Sequence, residues 1–527
     1  MRTAAIAVSI GLALGAIPVA HAAPEVPDRA PAVKDQMVPI LGDSGVMARQ
    51  RVTPGVRMSG GDDVTFRFLD ANGKAPAECY TAVINELTEQ FIFVSECGAE
   101  VHQQIPAGHY EASAVIATRD DDHVRYAVIS DPNFDVRGAR VATFDARIAK
   151  PVDVRVPFAD AKREFTAVHV GWNMAFFSEG MDVSTGHIGR SPKGLDAMIV
   201  ATFTGATDLY RAAWTMKGGL PTGFTGTKKP EEFATMRTTF VPGPADARHE
   251  VGMIPVRPWD NASTYDYLAP VKIGAELVEH VTANIKWVTD FTYTRKPDSY
   301  DVYNETPALV LTAGAQRRQR VNQAVHGVAS SALDIPAISK KGDKLRLAVS
   351  MFSDSRGGPG FSGTTAHRTT LLRDGVKVGE GGEYAGFADL PWAGPGSYRY
   401  ETEATQNVSP LSTRVSAAWT FKASEKDGRL PFTVVGFEPV LTNDAAKVGR
   451  FEVPLSYRKQ AGTPAVKKTE AEVSFDDGTT WQAVQIVDGK ALVDNAKPGY
   501  ASLRAKTVDA GGNTSEVTVI RAYRVIA

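Results

Sequence analysis

Cysteine is nearly missing from this chain: its 527 residues contain two, Cys79 and Cys97. CxxC spacing is absent, which argues against a metal-binding or redox pair. Charge of one sign is missing too. There are 58 Lys and Arg against 60 Asp and Glu, a formal net charge of −2, so no field suits nucleic acid. Beyond residue 20 no long apolar run suits a membrane helix, and the closing "AYRVIA" is neither a hydrophobic tail nor a polar spacer. Convincing period-3.6 stretches are rare. The ten His are scattered, with no H-E-x-x-H and no pair at metal spacing. P-loop and dinucleotide fingerprints are absent, and no cofactor is expected.

What is present begins at the N-terminus. Met1-Arg2-Thr3 precedes an apolar run, Ala4 to Ala20, and then Ala20-His21-Ala22. A positive start, a short apolar core and a small-x-small end describe a secretory signal peptide over 1–22. A secreted, extracellular chain is therefore expected. The first Cys stands far beyond the cleavage site, which argues against a lipoprotein. In an exported protein an even pair of cysteines reads as a disulfide. "TAVINEL" and "QFIFVS" are both strand-like and flank Thr88. A hairpin about Thr88 would set Cys79 opposite Cys97 and Val83 opposite Phe93.

Hydrophobic content of 43% supports real cores, and 47 Gly with 31 Pro fit a chain rich in turns. Period-2 alternation recurs throughout. "LRLAVSM" puts Leu345, Leu347, Val349 and Met351 on one face, and "VTFRF" does so with Val64, Phe66 and Phe68. Asn72-Gly73, Asp374-Gly375, Asp477-Gly478 and Asp488-Gly489 mark hairpin turns. The fold class expected is all-β, several β-sandwich domains in tandem after the signal peptide. "AELVEHVTANIKWVTDF" fits a helix or two strands broken near Ala283-Asn284, and its Val, Thr and Trp content favours strands.

Length suggests about three or four domains. Residues 23–45 are Pro-rich and extended, and a first β unit follows at 46–157. Its "FLDANGKAP" and "IPAGHYEA" resemble the small prealbumin-like sandwiches, usually accessory modules. A β domain at 158–300 is rich in aromatic residues, a sandwich spans 301–425, and "KASEKDGR" leads to a last unit at 429–527.

The last unit contains "SFDDGTTW": Ser474, Asp476, Gly478, Thr480 and Trp481 stand at Asp-box spacing, a pattern best known from sialidase propellers. A propeller would repeat the box in every blade, and here it occurs once. It reads as a structural turn in which Gly accepts positive φ and Asp bonds nearby amides. With the later "VDAGGNTSEV" hairpin, it resembles bacterial Ig-like or fibronectin-like sandwiches. The ordered pieces "VGFEPVL", "VPLSY", "VSFDDGTTW" and "GYASLRAKTVDAGGNTSEVTVIRAYRV" are similar to the closing module of large secreted subtilisin-like serine peptidases of filamentous soil bacteria. "LSTRVSAAWTF", "LLRDGVKVGE", "LPTGF" and "FDARIAKPVDVRVP" extend the resemblance upstream to the region those enzymes carry after their protease domain.

The protease domain itself is not visible. Subtilisin-type catalysis needs an Asp to orient a His, the His to take a proton, and a Ser at a helix start. None of the usual surroundings occurs. The nearest imitations are "HGVAS" at His326 and "GTTAH", with Thr365 where the nucleophile should stand. His326 and Thr365 lie too close in sequence for an α/β core between them. "RDDDH", Asp120 to Asp122 with His123 and nearby Asp131, has carboxylates for Ca²⁺ but reads first as a solvated loop.

The chain is therefore expected to be a non-catalytic secreted protein, a monomer with a binding or accessory role toward a protein or polysaccharide ligand. A carbohydrate binder is the first alternative, with Trp172, Trp214, Trp287 and Trp392 as candidate stacking residues, although such Trp residues are more often core. A divergent extracellular hydrolase is the second.

Overall fold

The computed structural model describes residues 61–527, apart from 77, 86–89, 95, 121–122, 172–173, 180–181, 190–193, 242, 244–245, 260, 262, 265–267, 272–274, 296–301, 331–335, 383 and 427, together with the backbone of strands Met37–Leu41 and Met47–Arg51. The expected signal peptide lies outside the described residues. Those described form β-strands and two single-turn 3-10 helices, and no α-helix. The all-β class read from alternation is the one observed. The ambiguous "AELVEHVTANIKWVTDF" segment is two strands, Glu276–Thr282 and Lys286–Thr294. They are broken where Asn284 takes a left-handed φ of 60°, a conformation Asn tolerates better than its β-branched neighbours. Asp374-Gly375 and Asp488-Gly489 both have positive φ at two successive residues, which a two-residue type I′ hairpin requires.

The N-terminal half is a stack of sheets. A three-stranded sheet centred on Asp62–Leu69 covers one face of a seven-stranded sheet that includes Cys79–Asn85, Gly108–Asp120 and His123–Val136. Between them Phe66, Phe68, Phe134 and Phe144 form the core, with Phe66 and Phe134 stacked at 5.7 Å. Ala82, Ile84, Val115 and Val128 point the other way and meet Val168, Ile199, Ala201 and Phe203 of a second seven-stranded sheet. That sheet in turn sends Met198, Val200 and Ala213 toward Met253 and Trp287 of a six-stranded sheet. Alternation along Met198–Ala201 thus feeds two cores at once, because successive strand residues point to opposite faces.

Strand pairing crosses the breaks read from composition. Lys150–Arg155, Val183–His187 and Phe224–Thr227 belong to the same sheet as Cys79–Asn85, so the first unit does not close at 157. Val302–Glu305 pairs with Lys286–Thr294 across 300. Arg414–Ala423 pairs with Thr514–Ile526 across 425, Val415 opposite Val519, within a twelve-stranded sheet. One core joins the two C-terminal units, running from Val328 and Leu347 through Trp419 to Val473, Leu503 and Tyr523.

Candidate functional site

The two cysteines are bonded, with Cα atoms 5.2 Å apart. The hairpin register differs by one from the expected pairing: Val83 faces Ile92, not Phe93, and Thr81 faces Val94. Burial sets this register. Val83, Ile92 and Val94 share the core with Cys79, whereas Phe93 turns to the other face beside Tyr80, at 5.8 Å. The strand ends at Val94, so Cys97 reaches Cys79 from beyond the paired stretch.

The Asp-box residues bond to one another within a single turn. Ser474 Oγ donates to Asp476 Oδ1 (2.7 Å) and accepts from the Gly478 amide (2.9 Å). The Thr480 hydroxyl donates to Asp476 Oδ2 (2.6 Å), and its amide donates to Oδ1 (2.9 Å). Trp481 Nε1 donates to the Gly478 carbonyl (3.0 Å). The Thr480 hydroxyl and amide, with Ser474, hold the Asp476 carboxyl down to about 2. Asp477 pairs with Arg521 at 2.7 Å.

The imitation peptidase stretches are occupied differently. His326 is half-buried, its Nε2 sits 3.2 Å from Asn322 Oδ1, and desolvation pushes its pKa down to about 4. Thr365 is exposed and exchanges a hydrogen bond with Thr405 (2.9 Å). Asp120 ends the strand Gly108–Asp120 and bonds Asn72 and Arg125. Asp131 is buried within His123–Val136, opposite Ala112, and pairs with Arg140 at 3.2 Å. Asp120 faces His123, at the far end of the same ladder. At about 3.3 Å per residue the two aspartates stand roughly 25 Å apart, too far to share one cation. Asp121 and Asp122 lie outside the described residues. His102 and His109 are both exposed, on strands of different sheets, bonded to Thr65 and Asp135.

The tryptophans separate by burial. Trp287 is fully buried and donates to the Thr282 carbonyl (2.9 Å). Trp392 is part-buried against Tyr398 and the Lys340 ammonium. Trp172 lies outside the described residues. Trp214 lines an open groove of about 470 Å³, with Phe224, Lys228, Glu231, Glu232, Asn284 and Ile285. Trp214 lies within the strand Asp208–Met216, part-buried against the core, Phe224 opens Phe224–Thr227, the two glutamates come from the 3-10 turn Pro230–Glu232, and Asn284 from the turn at the break. The two rings meet edge to face at 5.9 Å, and Lys228 Nζ lies 5.3 Å from the Trp214 ring.

A second polar cluster, deep between the second seven-stranded sheet and the six-stranded one, escaped sequence reasoning. Arg211 and Glu279, both fully buried, pair at 2.6 Å. Thr202 accepts from Arg211 (3.2 Å), and the Met253 amide donates to Glu279 (3.0 Å). On the opposite face of the six-stranded sheet, the face that carries Val288 and Ile254, Asp290 stands opposite Glu305, and the Tyr303 hydroxyl donates to Asp290 (2.9 Å) while lying 3.5 Å from Glu305. Burial raises Asp290 to about 7, with Tyr303 and Arg211 opposing the rise. Burial, then the Asp290 charge, raises Glu305 well above the usual range.

These carboxyls bind protons more tightly in the folded than in the unfolded chain, where they titrate near about 4. Stability should therefore fall as pH rises from about 4 to about 7. Thermal midpoints across that range should show this slope, and the Asp290→Asn, Glu305→Gln double variant should flatten it. An unchanged slope in the double variant would refute the raised affinity of these two carboxyls for protons.

No protein-family model matches this chain, and no curated protein matches it. Among solved structures it is similar to the Bacillus anthracis TIE protein, at 10% identity over 49% of this chain and 50% of that one, with a TM-score of 0.13. It is also similar to three N-terminal domains of the bacteriophage RB49 highly immunogenic outer capsid protein, at 9% identity over 63% and 92%, TM-score 0.15. A third is a streptococcal ancillary pilin, at 7% identity over 49% and 98%, TM-score 0.12. The chain thus spans half the length of the first of these.

Proposed function

We propose that this chain is an exported, non-catalytic β protein that binds a ligand, in the manner of the modules that follow the protease domain of secreted subtilisin-like peptidases. The observation that carries the reading is the open groove at Trp214, an aromatic platform with a polar rim on a stack of buried sheets. Ligand sites have this composition, mostly apolar walls with a few placed polar groups. The disulfide fits the oxidising compartment to which the N-terminal segment would send the chain. His326 and Thr365 each have other partners, Asn322 and Thr405, which supports reading "HGVAS" and "GTTAH" as structural segments.

Casein and peptide hydrolysis by the purified chain, with and without a serine-directed inhibitor, tests the proposal. No inhibitor-sensitive hydrolysis above background is expected, and His326→Ala or Thr365→Ala should leave the progress curves unchanged. Loss of a measurable peptidase activity in either variant would overturn the non-catalytic reading.

A further inference from the structure

We infer that the edge strand Gln316–Val321 is a docking site for an extended acidic peptide, a surface separate from the Trp214 groove. This strand closes one side of the second seven-stranded sheet and, among the described residues, pairs only with Phe233–Phe240. The pairing is parallel, with Thr235 opposite Gln316 and Phe240 opposite Val321. The Thr235 amide donates to the Ala315 carbonyl (2.8 Å), and the Val241 amide to the Val321 carbonyl (3.0 Å). Main-chain groups alternate between the two sides of a strand. Gln316, Arg318 and Arg320 therefore turn their amides and carbonyls away from the sheet. Arg356 Nη1 reaches the Arg320 carbonyl (3.5 Å), so the open stretch is Gln316 to Arg318, where all three residues are exposed. The inner face anchors this edge. Val321 is fully buried, and Gln319 Nε2 donates to Thr238 (2.9 Å) and to Thr289 of the six-stranded sheet (2.7 Å). An edge already held extended accepts another strand at little ordering cost of its own.

Charge selects what is added. The strand carries Arg317, Arg318 and Arg320 and no carboxylate. Arg318 and Arg320 project from one face and Arg317 from the other. Arg237 stands opposite Arg318 on the neighbouring strand. Glu276 is shared between them, 3.1 Å from Arg237 and 4.0 Å from Arg318. Arg317 and Arg320 form no ion pair with a described residue. The Asp444 carboxyl lies in the field of Arg320, and Arg524 offsets it there. A chain with a formal net charge of −2 thus presents a locally positive edge, which draws an acidic partner. Basic strands are turned away, because like charges set opposite one another are unfavourable. The outward amides and carbonyls alternate at the spacing of a peptide strand, a match that polysaccharides and nucleic acids lack. The partner is therefore an extended segment of about five residues, the usual length of a strand, with Asp or Glu beside Arg318 and Arg320.

Fluorescence polarisation of a fluorescein-labelled peptide of alternating Glu and Thr, titrated with the full chain, tests this. Saturable binding is expected at low salt, weakened about tenfold as salt rises from about 50 to about 500 mM. The fully N-methylated analogue keeps the charges and has no amide donors, so it should bind at least about tenfold more weakly. Polygalacturonate and a DNA oligonucleotide, acidic without a peptide backbone, should compete poorly. Arg317→Gln with Arg318→Gln should weaken the peptide by about tenfold. Gln316→Pro removes an outward amide that the sheet does not use, a change edge strands tolerate, and should weaken the peptide with the thermal midpoint unchanged. If that midpoint falls, the double arginine variant decides, since both side chains are exposed. Absence of peptide binding, equal binding of the N-methylated analogue, strong competition by polygalacturonate or DNA, or full affinity in the double arginine variant would overturn the inference.

Discussion

Glu279→Ala is expected to cost about 3–5 kcal/mol of folding stability, the loss seen when one partner of a buried ion pair is removed. Arg211 and Glu279 are both wholly inside the protein, 2.6 Å apart. Their surroundings include Ala213, Met253 and Val281, which offer the charges no solvation. Glu279 also accepts the Met253 amide, so its removal strips a backbone donor on the facing sheet. What remains is a wholly buried Arg211 guanidinium that has lost the Glu279 carboxylate. The Arg211→Met, Glu279→Leu double variant should recover most of the loss, because both charges leave together and apolar volume replaces them. Denaturant midpoints of the wild type, Arg211→Met, Glu279→Leu and the double variant measure the coupling. Simple additivity of the two single losses would show that the pair is not the unit of stability.

Opening the Cys79–Cys97 bond is expected to cost about 3 kcal/mol by loop-closure arithmetic, for cysteines 18 residues apart in sequence. The cross-link also ties the edge strand Gln90–Val94 to its neighbour at the end of the sheet. Ile92 and Val94 pack into the same core as Phe66 and Phe134, so loosening that edge would expose apolar surface. Cys79→Ser with Cys97→Ser should therefore unfold at lower denaturant than the wild type under oxidising conditions, and should match the reduced wild type. A thiol reagent should label neither cysteine of the denatured, unreduced chain. Labelling of both would contradict the bond.

The strands were readable because alternation and turn chemistry are local. Leu345, Leu347, Val349 and Met351 all enter the core as their period demands. Asp374-Gly375 and Asp488-Gly489 turn the chain where their sequence says. The disulfide was readable from the export signal expected at the N-terminus and from its flanking strands, yet the register was not. Nothing local distinguishes Ile92 from Phe93 until the core beside Val83 is known. Domain limits were harder for a related reason. Composition breaks at 157 and 425 mark loops, and strands pair across them as they do across 300.

The polar core was invisible for another cause. In "WVTDFTY" and "VYNE" the charged residues alternate with apolar ones, which reads as a solvated face. In the fold that face, which also carries Val288 and Ile254, is covered, and Asp290 and Glu305 are buried. At the groove, Trp214 stood out as an aromatic in a β chain. Phe224, Lys228, Glu231 and Asn284 come from three other segments, and only the fold brings them to it.

Incubating the purified chain with suspended cellulose and with chitin, and measuring in one experiment both protein lost from the supernatant and soluble sugar released, tests binding without cleavage most directly. Depletion of the wild type by at least one of the two, weaker depletion of Trp214→Ala, and no sugar above the protein-free control is the predicted result. Release of soluble sugar would contradict the non-catalytic reading, and a wild-type chain that stays wholly in solution with both would contradict a polysaccharide ligand.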